Sequence, residues 1–346
     1  MLRRPQLGVS LAILAALATG GVLLPLLGAA QNQGVVPEIV ASARLFPEIG
    51  PGVRALKDDS NGRYYILAAP ATAISVYGPD AKRVGQIPVA NSPGAKIVFA
   101  EDVDVDATDR IFVADRGANA VEIFKADGAL DATIPVTAPT SVAALSGGEF
   151  AVASLRASRL VTIYNEQGKV VRSFGDPRDV ASSADVNRYL NHGRLTADRS
   201  SFVYFAFTYL PDAIIRKYDR FGFSAYEISL PGVDNQSLSA SRSSGVDILA
   251  LARRNRPAEI KAVINAFGVD PVSQEVWAAI GDQLSHFGKD GALLASYRTA
   301  TADGTRLEPG AILIEPGRIL LAVDPLGVYE FARPDRQRSA SIGTHQ

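Results

Sequence analysis

The raw material for chemistry in this 346-residue chain is narrow: three histidines (His192, His286 and His345), no cysteine, and a crowd of carboxylates between Glu101 and Asp115. Without cysteine there is no thiolate zinc site, no disulfide and no sulfur nucleophile. No P-loop, dinucleotide-binding glycine fingerprint, HExxH or GxSxG occurs. What is left is oxygen chemistry. Glu101 and Asp102 are adjacent, Asp104 and Asp106 lie two apart, and Asp115 precedes Arg116. Carboxylate and amide oxygens of this kind could hold a hard divalent cation, or work as a pair in proton transfer. Either role requires convergence, which depends on the elements that carry them.

Those elements are short strands. From Glu101 to Pro135 the chain reads VDVD, a turn at Asp106–Asp109, IFVAD, a break at Arg116–Asn119, AVEIF, a turn at Ala126–Gly128, and ALDATIP. Period-2 runs of about five residues joined by Asp, Gly and Asn turns predict a four-stranded antiparallel meander. The pattern recurs. An aromatic closes the third strand of each copy at Tyr77, Phe124, Tyr164, Tyr218, Phe287 and Phe331, at intervals of 47, 40, 54, 69 and 44 residues. Four of these have a glycine four residues on, at Gly128, Gly168, Gly222 and Gly291, where a hairpin needs positive φ. On this reading Asp106 opens a turn into Arg110, Asp104 alternates with valines, Asp115 accepts hydrogen bonds in a turn, and Trp277 and the aromatics from Phe202 to Tyr209 belong to the core.

Six such units predict an all-β fold, a six-bladed β-propeller of four-stranded antiparallel blades. The last unit ends near Pro334 without an outer strand, and a strand-like run at 41–49 has no local partner. The expectation is that this N-terminal strand closes the ring, since an open ring leaves unpaired edges. The propeller then spans 41–335, with a tether at 31–40 and a tail at 336–346. Two insertions are expected between blades, at 176–190 and 231–259, the second ending near Arg253, Arg254 and Arg256. At the N-terminus, Arg3-Arg4 precedes 22 uncharged residues from Leu7 to Gly28, followed by small residues. That is the pattern of a signal peptide over 1–30, or of an anchor if uncleaved, and it predicts a periplasmic or secreted body. A formal charge of −1 argues against nucleic acid. Membrane contact is expected only through the N-terminal segment if it is retained.

Blade two resembles an NHL repeat, with Asp115 and Asn119 on the pattern; blade three departs from it at Leu155-Arg156, and blade one at Ala68-Ala69. Blade five is similar to six-bladed propellers of exported bacterial proteins. The resemblance implies a propeller and a general role in binding, in families that also contain RNA binders, lyases and lactonases. It implies two metal schemes: a channel cation on Glu, Asn and Asp as in propeller lactonases, or a zinc on several histidines. The second needs histidines that this chain does not have, with His345 in the tail and His286 on a third strand.

The innermost strand of each blade starts at the channel mouth. There the expectation places Arg54, Glu101, Asp102, Thr140, Ser141, Asn191, His192, Arg194, Asn265 and Glu308. Glu101, Asp102, Asn191 and Asn265 could converge on Ca or Mg, whereas Arg54 and Arg194 at the same level would oppose a cation and pair with the acids. The favoured function is an exported, non-catalytic, monomeric propeller with no cofactor, binding a protein, peptide or glycan through its loop rim or channel. The alternative is a metal-dependent hydrolase or lyase, lactonase-like, with its site in the channel.

Overall fold

A computed structural model describes residues 36–89, 94–210, 212–230 and 262–334. The N-terminal segment expected to be a signal peptide, the 231–259 insertion with its three arginines, the tail and His345 lie outside them. Two short strands open the described chain, β1 (Glu38–Val40) and β2 (Ala43–Leu45). Six blades follow. Blade one holds β3 to β6 (Ala55–Asp58, Tyr64–Leu67, Ile74–Tyr77, Arg83–Ile87), and blade two β7 to β10 (Ala100–Val105, Ile111–Asp115, Ala120–Phe124, Leu130–Pro135). Blade three holds β11 to β14 (Pro139–Ala144, Phe150–Ser154, Val161–Tyr164, Val170–Phe174). A helix, α1 (Ala184–Leu190), leads into blade four, β15 to β18 (Gly193–Ala197, Val203–Phe207, Ile214–Tyr218, Ser224–Ser229). Blade five holds β19 to β22 (Ala266–Val269, Val276–Ile280, Gln283–Phe287, Leu293–Ala300), and blade six β23 to β25 (Pro309–Ile314, Arg318–Val323, Gly327–Ala332).

The burial pattern explains the strands. IFVAD of β8 is buried at every position, because its two faces are covered by blades on either side. LDATIP of β10, the outer strand, keeps the alternation of a half-solvated edge. Six apolar clusters fill the seams between neighbouring blades; Val161, Ile163 and Phe174 of blade three, for example, pack with Leu195, Phe205 and Tyr218 of blade four. The turns between first and second strands repeat one device. Asp59, Asp106 and Asp198 each accept the backbone N–H groups two and four residues on, at 2.8–3.1 Å. Asp106 also pairs with Arg110 at 2.8 Å. Gly128 and Gly291 sit at φ +83° and +84° in the outer hairpins, where a side chain would be strained.

The ring closes at the N-terminus. β2 pairs antiparallel with β25, Arg44 opposite Tyr329, and becomes the fourth strand of blade six. The clasp has a second half, in the stretch expected to be a tether: β1 pairs parallel with β22, Ile39 opposite Thr299, as a fifth strand on blade five. Phe46, at φ 51°, turns the chain so that its fully buried ring meets Tyr64 and Tyr77 edge-on, at centroid distances of 5.1 and 4.8 Å. It therefore pins blade six to blade one. Among the described residues no helix is long and apolar enough to cross a membrane.

Phe46→Ala should cost about 3–5 kcal/mol, the usual cost of emptying a buried aromatic site, read as a lowered midpoint in denaturant unfolding; a change below about 1 kcal/mol would refute the pinning role. A second expectation concerns Glu122 on β9, buried with one carboxylate oxygen unpartnered. Burial, then the nearby Asp115 charge, raises its pKa from 4.5 to about 7. Between those values the folded state keeps a proton that the unfolded state has released, so stability falls as pH rises through the window. Glu122→Gln should remove that fall, stabilising the protein by on the order of 1–3 kcal/mol at pH 8 and by less at pH 5. Thermal melts of both proteins at the two pH values check it.

Candidate functional site

Arg54, just before β3, and Glu101, Asp102, Ser141 and Arg194, on the innermost strands of blades two to four, come together at one end of the channel, here termed the front face. Glu101 on β7 receives two guanidiniums, Arg54 Nη1 at 2.7 Å and Arg116 Nε at 2.7 Å. Both arginines lie against the Phe99 ring, 4.8 and 5.2 Å from its centroid. One residue further in, Asp102 is buried and accepts from the Ser141 hydroxyl and from the Val103 N–H at 3.0 Å. Ser141 Oγ accepts in turn from the Leu195 N–H at 2.8 Å, so a hydrogen-bonded line joins the innermost strands of blades four, three and two. Burial raises the Asp102 pKa against the opposing pull of Arg194 and Lys57.

Arg194 closes the opening. Its Nη1 donates to the Arg54 carbonyl at 2.6 Å. Blades four and one stand opposite each other in a ring of six, so this side chain spans the channel. Below it Lys57 Nζ meets Asp104 Oδ1 at 2.9 Å, and Asp104 Oδ2 accepts the Ala144 N–H at 2.8 Å. Burial opposes the Lys57 charge, yet Asp104 and Asp102 outweigh it and hold its pKa above the ordinary value. The space left has a volume of about 70 Å³, with Arg54, Lys57, Asp102 and Arg194 on one wall and Phe267, Gly268, Gly310 and Ile312 on the other. That is room for a few waters.

The remaining mouth residues have other work. Asn191 donates to the carbonyls of Arg178 and Asn187, both at 2.8 Å, and accepts the Arg178 N–H at 2.7 Å, stapling α1 to the connection before it. Asn265 Oδ1 accepts the Gly281 N–H at 2.8 Å, within blade five. With Glu101 on two arginines, Asp102 on Ser141 and both amides on backbone, these four residues do not fit a divalent cation, which needs several free oxygens turned to one point. Among the described residues no group of three or more His, Cys, Asp or Glu side chains assembles as a metal cage. His286 is a core residue, 2% exposed and stacked 3.8 Å from the buried Trp277.

His192 is different. Burial, then the Arg194 and Arg116 charges, lowers its pKa to about 4, so the ring is neutral at pH 7. Its Nδ1 is buried with no hydrogen-bond partner. The ring lies beside Tyr209, which stacks on Tyr189 at 4.8 Å. It lines a cavity of about 210 Å³ beneath α1. Two further hollows of about 290 and 400 Å³ adjoin it around the loop from Leu155 to Arg159. The first is walled by Arg116, Leu155, Arg156, Arg188 and Tyr189, with one acidic residue, Asp185. Sequence reasoning missed this groove. Its one visible signal was the departure of Leu155-Arg156 from the Asp-bearing pattern of blade two, because Asp115 locks the equivalent loop by accepting the N–H groups of Phe99 and Ala118, each at 2.9 Å. On the rear face a cavity of about 510 Å³ carries Asp58, Asp59, Asp104, Asp106 and Asp198, most of them held in the turns and pairs already described.

The fold and its mouth define a six-bladed β-propeller whose channel is filled by paired charges. No family model and no curated protein matches the chain. Among solved structures it is similar to a streptogramin B lyase, with 13% identity over 84% of this chain and 86% of that one and a TM-score of 0.51. It is similar to U3-55K, with 10% identity over 84% and 98% of the two chains and a TM-score of 0.55. The WD40 repeats of RRP9 match at 10% identity over 85% and 99%, with a TM-score of 0.53. At such identities the likeness concerns the fold alone.

Replacing Arg194 with Met should weaken the favourable field on buried Asp102, leaving it to Lys57, and destabilise the protein by less than the roughly 3–5 kcal/mol lost when a direct buried pair is broken. The folded-state pKa of Asp102 would rise further above its unfolded value, so the deficit should grow from pH 5 to pH 8; adding Asp102→Asn should flatten that dependence. Denaturant melts at the two pH values check both, and a pH-independent deficit would overturn the influence of Arg194 on Asp102.

Proposed function

We propose that this chain is an extracytoplasmic, non-catalytic binding propeller, monomeric, that takes an acidic segment of a protein partner on its front face between blades two and four. The observation that carries the reading is Arg156. It is exposed, it lines the groove with Leu155 and Tyr189, and it has no acidic partner among the described residues, while beside it stand Arg116, paired with Glu101, and Arg188, paired with Asp185 of the same lining. Exposed guanidiniums over an apolar floor suit a segment alternating acidic and apolar side chains. The basic leader and the uncharged run from Leu7 to Gly28 support export, and the NHL-like residues of blade two fit a binding role. A channel enzyme has less support, since Arg194 bridges the channel and the oxygens at its mouth are engaged.

The test uses the full chain, exported under its own N-terminus, beside an Arg156→Glu variant, each as bait for the extracytoplasmic protein fraction at low ionic strength. At least one protein retained by the parent should fall tenfold or more with the variant while the melting temperature holds. Identical retained sets would overturn the proposal.

A further inference from the structure

Resting on that reading and deepening it, we propose that the cavity beneath α1 is an anchor site for a single carboxylate, supplied by the partner as an acidic side chain or as a chain terminus. Three observations point to it. The volume, about 210 Å³, suits one residue and not a folded chain. Its lining contains two guanidiniums, Arg159 and Arg188, and not one acidic residue. His192 contributes an imidazole to the same lining, a neutral ring that can donate or accept a hydrogen bond beside the two guanidiniums.

The arginines are free to turn inward. Arg159 pairs with Asp176 and Arg188 with Asp185, whose side chains are 82% and 90% exposed; such surface pairs are weak and exchange readily. A carboxylate entering the cavity would exchange them for a charge-assisted contact away from solvent, and accept from His192. The frame around it is stiff, since Asn191 and Asn187 hold the 176–190 connection by their backbone bonds. Leu155 and Leu160 offer an apolar wall for the methylenes of a side chain. The charges acting on the His192 ring are those of Arg194 and Arg116, with Arg159 and Arg188 in the same cavity lining, so a bound carboxylate would bring a negative charge beside this ring and would favour its protonation.

Calorimetry on the full chain tests this with three defined peptides: an acetylated, amidated apolar peptide with one central glutamate, the same peptide with glutamine and a free C-terminal carboxylate, and the glutamine peptide amidated. The first or the second should bind, identifying the source, and the third should not. Affinity should fall at least tenfold in His192→Phe, and likewise in Ser158→Trp, which plugs the cavity from an exposed loop position without touching the core. At pH 5.5, paired buffers of different ionisation enthalpy should report proton uptake on binding. Equal binding of all three peptides, binding of none, or full affinity in both variants would overturn the anchor. If partner retention is lost with Arg156→Glu, which lies outside this cavity, yet survives both cavity variants, the anchor fails while the front-face reading stands.

Discussion

A four-stranded blade has two apolar faces and can cover neither. Every other feature of this molecule depends on that constraint. The six buried clusters are shared between adjacent blades, so no blade owns a core, and removing one seam exposes two blades at once. The last seam is the hardest to make because it joins residues far apart in the chain. Here the N-terminal segment makes it twice over, with β1 on blade five and β2 on blade six, and with the Phe46 ring set into the seam between blades six and one. Loop closure over such a separation is entropically expensive, which accounts for backbone pairing on two blades where one strand would suffice to complete the count.

Whether a residue's role can be read from the sequence depends on whether that role is local. The third-strand aromatics and the hairpin glycines have reasons within a few residues of themselves, and all six aromatics fall within the last two positions of their strands. The turn aspartates are similar: Asp106 bonds two and four residues on, so its role follows from spacing. Half of the N-terminal clasp is equally plain, as a strand without a partner. The other half, β1, is three residues long with a mostly exposed pattern, and its parallel partner lies some 260 residues away (298 − 38). No local signal could reveal it.

The mouth residues show the same division. Reading Arg54, Glu101, Asp102 and Arg194 as one level of the channel follows from the repeat, and the structure brings them together. Their chemistry is harder to see, since neighbouring carboxylates and amides look like ligands until their partners are known. Asn191 and Asn265 hold backbone groups of their own connections. Glu101 is shared by guanidiniums from two blades, one of which, Arg116, lies in a loop that spacing alone assigns to a turn. Arg156 and the hollow around it depend on the path of α1 over blade three, inside an insertion whose conformation the repeat does not constrain.

Charge buried at the centre of a ring must be satisfied by partners that the ring itself supplies, and those partners come from other blades. Arg194 reaches the Arg54 backbone carbonyl across the channel, Lys57 reaches Asp104 from the next blade, and the line from Leu195 through Ser141 to Asp102 runs over three blades. Such a network gives register to strands that apolar packing alone would allow to slide. The same engagement makes these groups poor candidates for a ligand, because any ligand that recruited one of them would leave another buried and unpaired. Groups further out are less engaged, their present partners being solvent or weak surface pairs. On the described front face Arg156, Arg159 and Arg188 are of this kind, near His192, whose Nδ1 is buried without a hydrogen-bond partner.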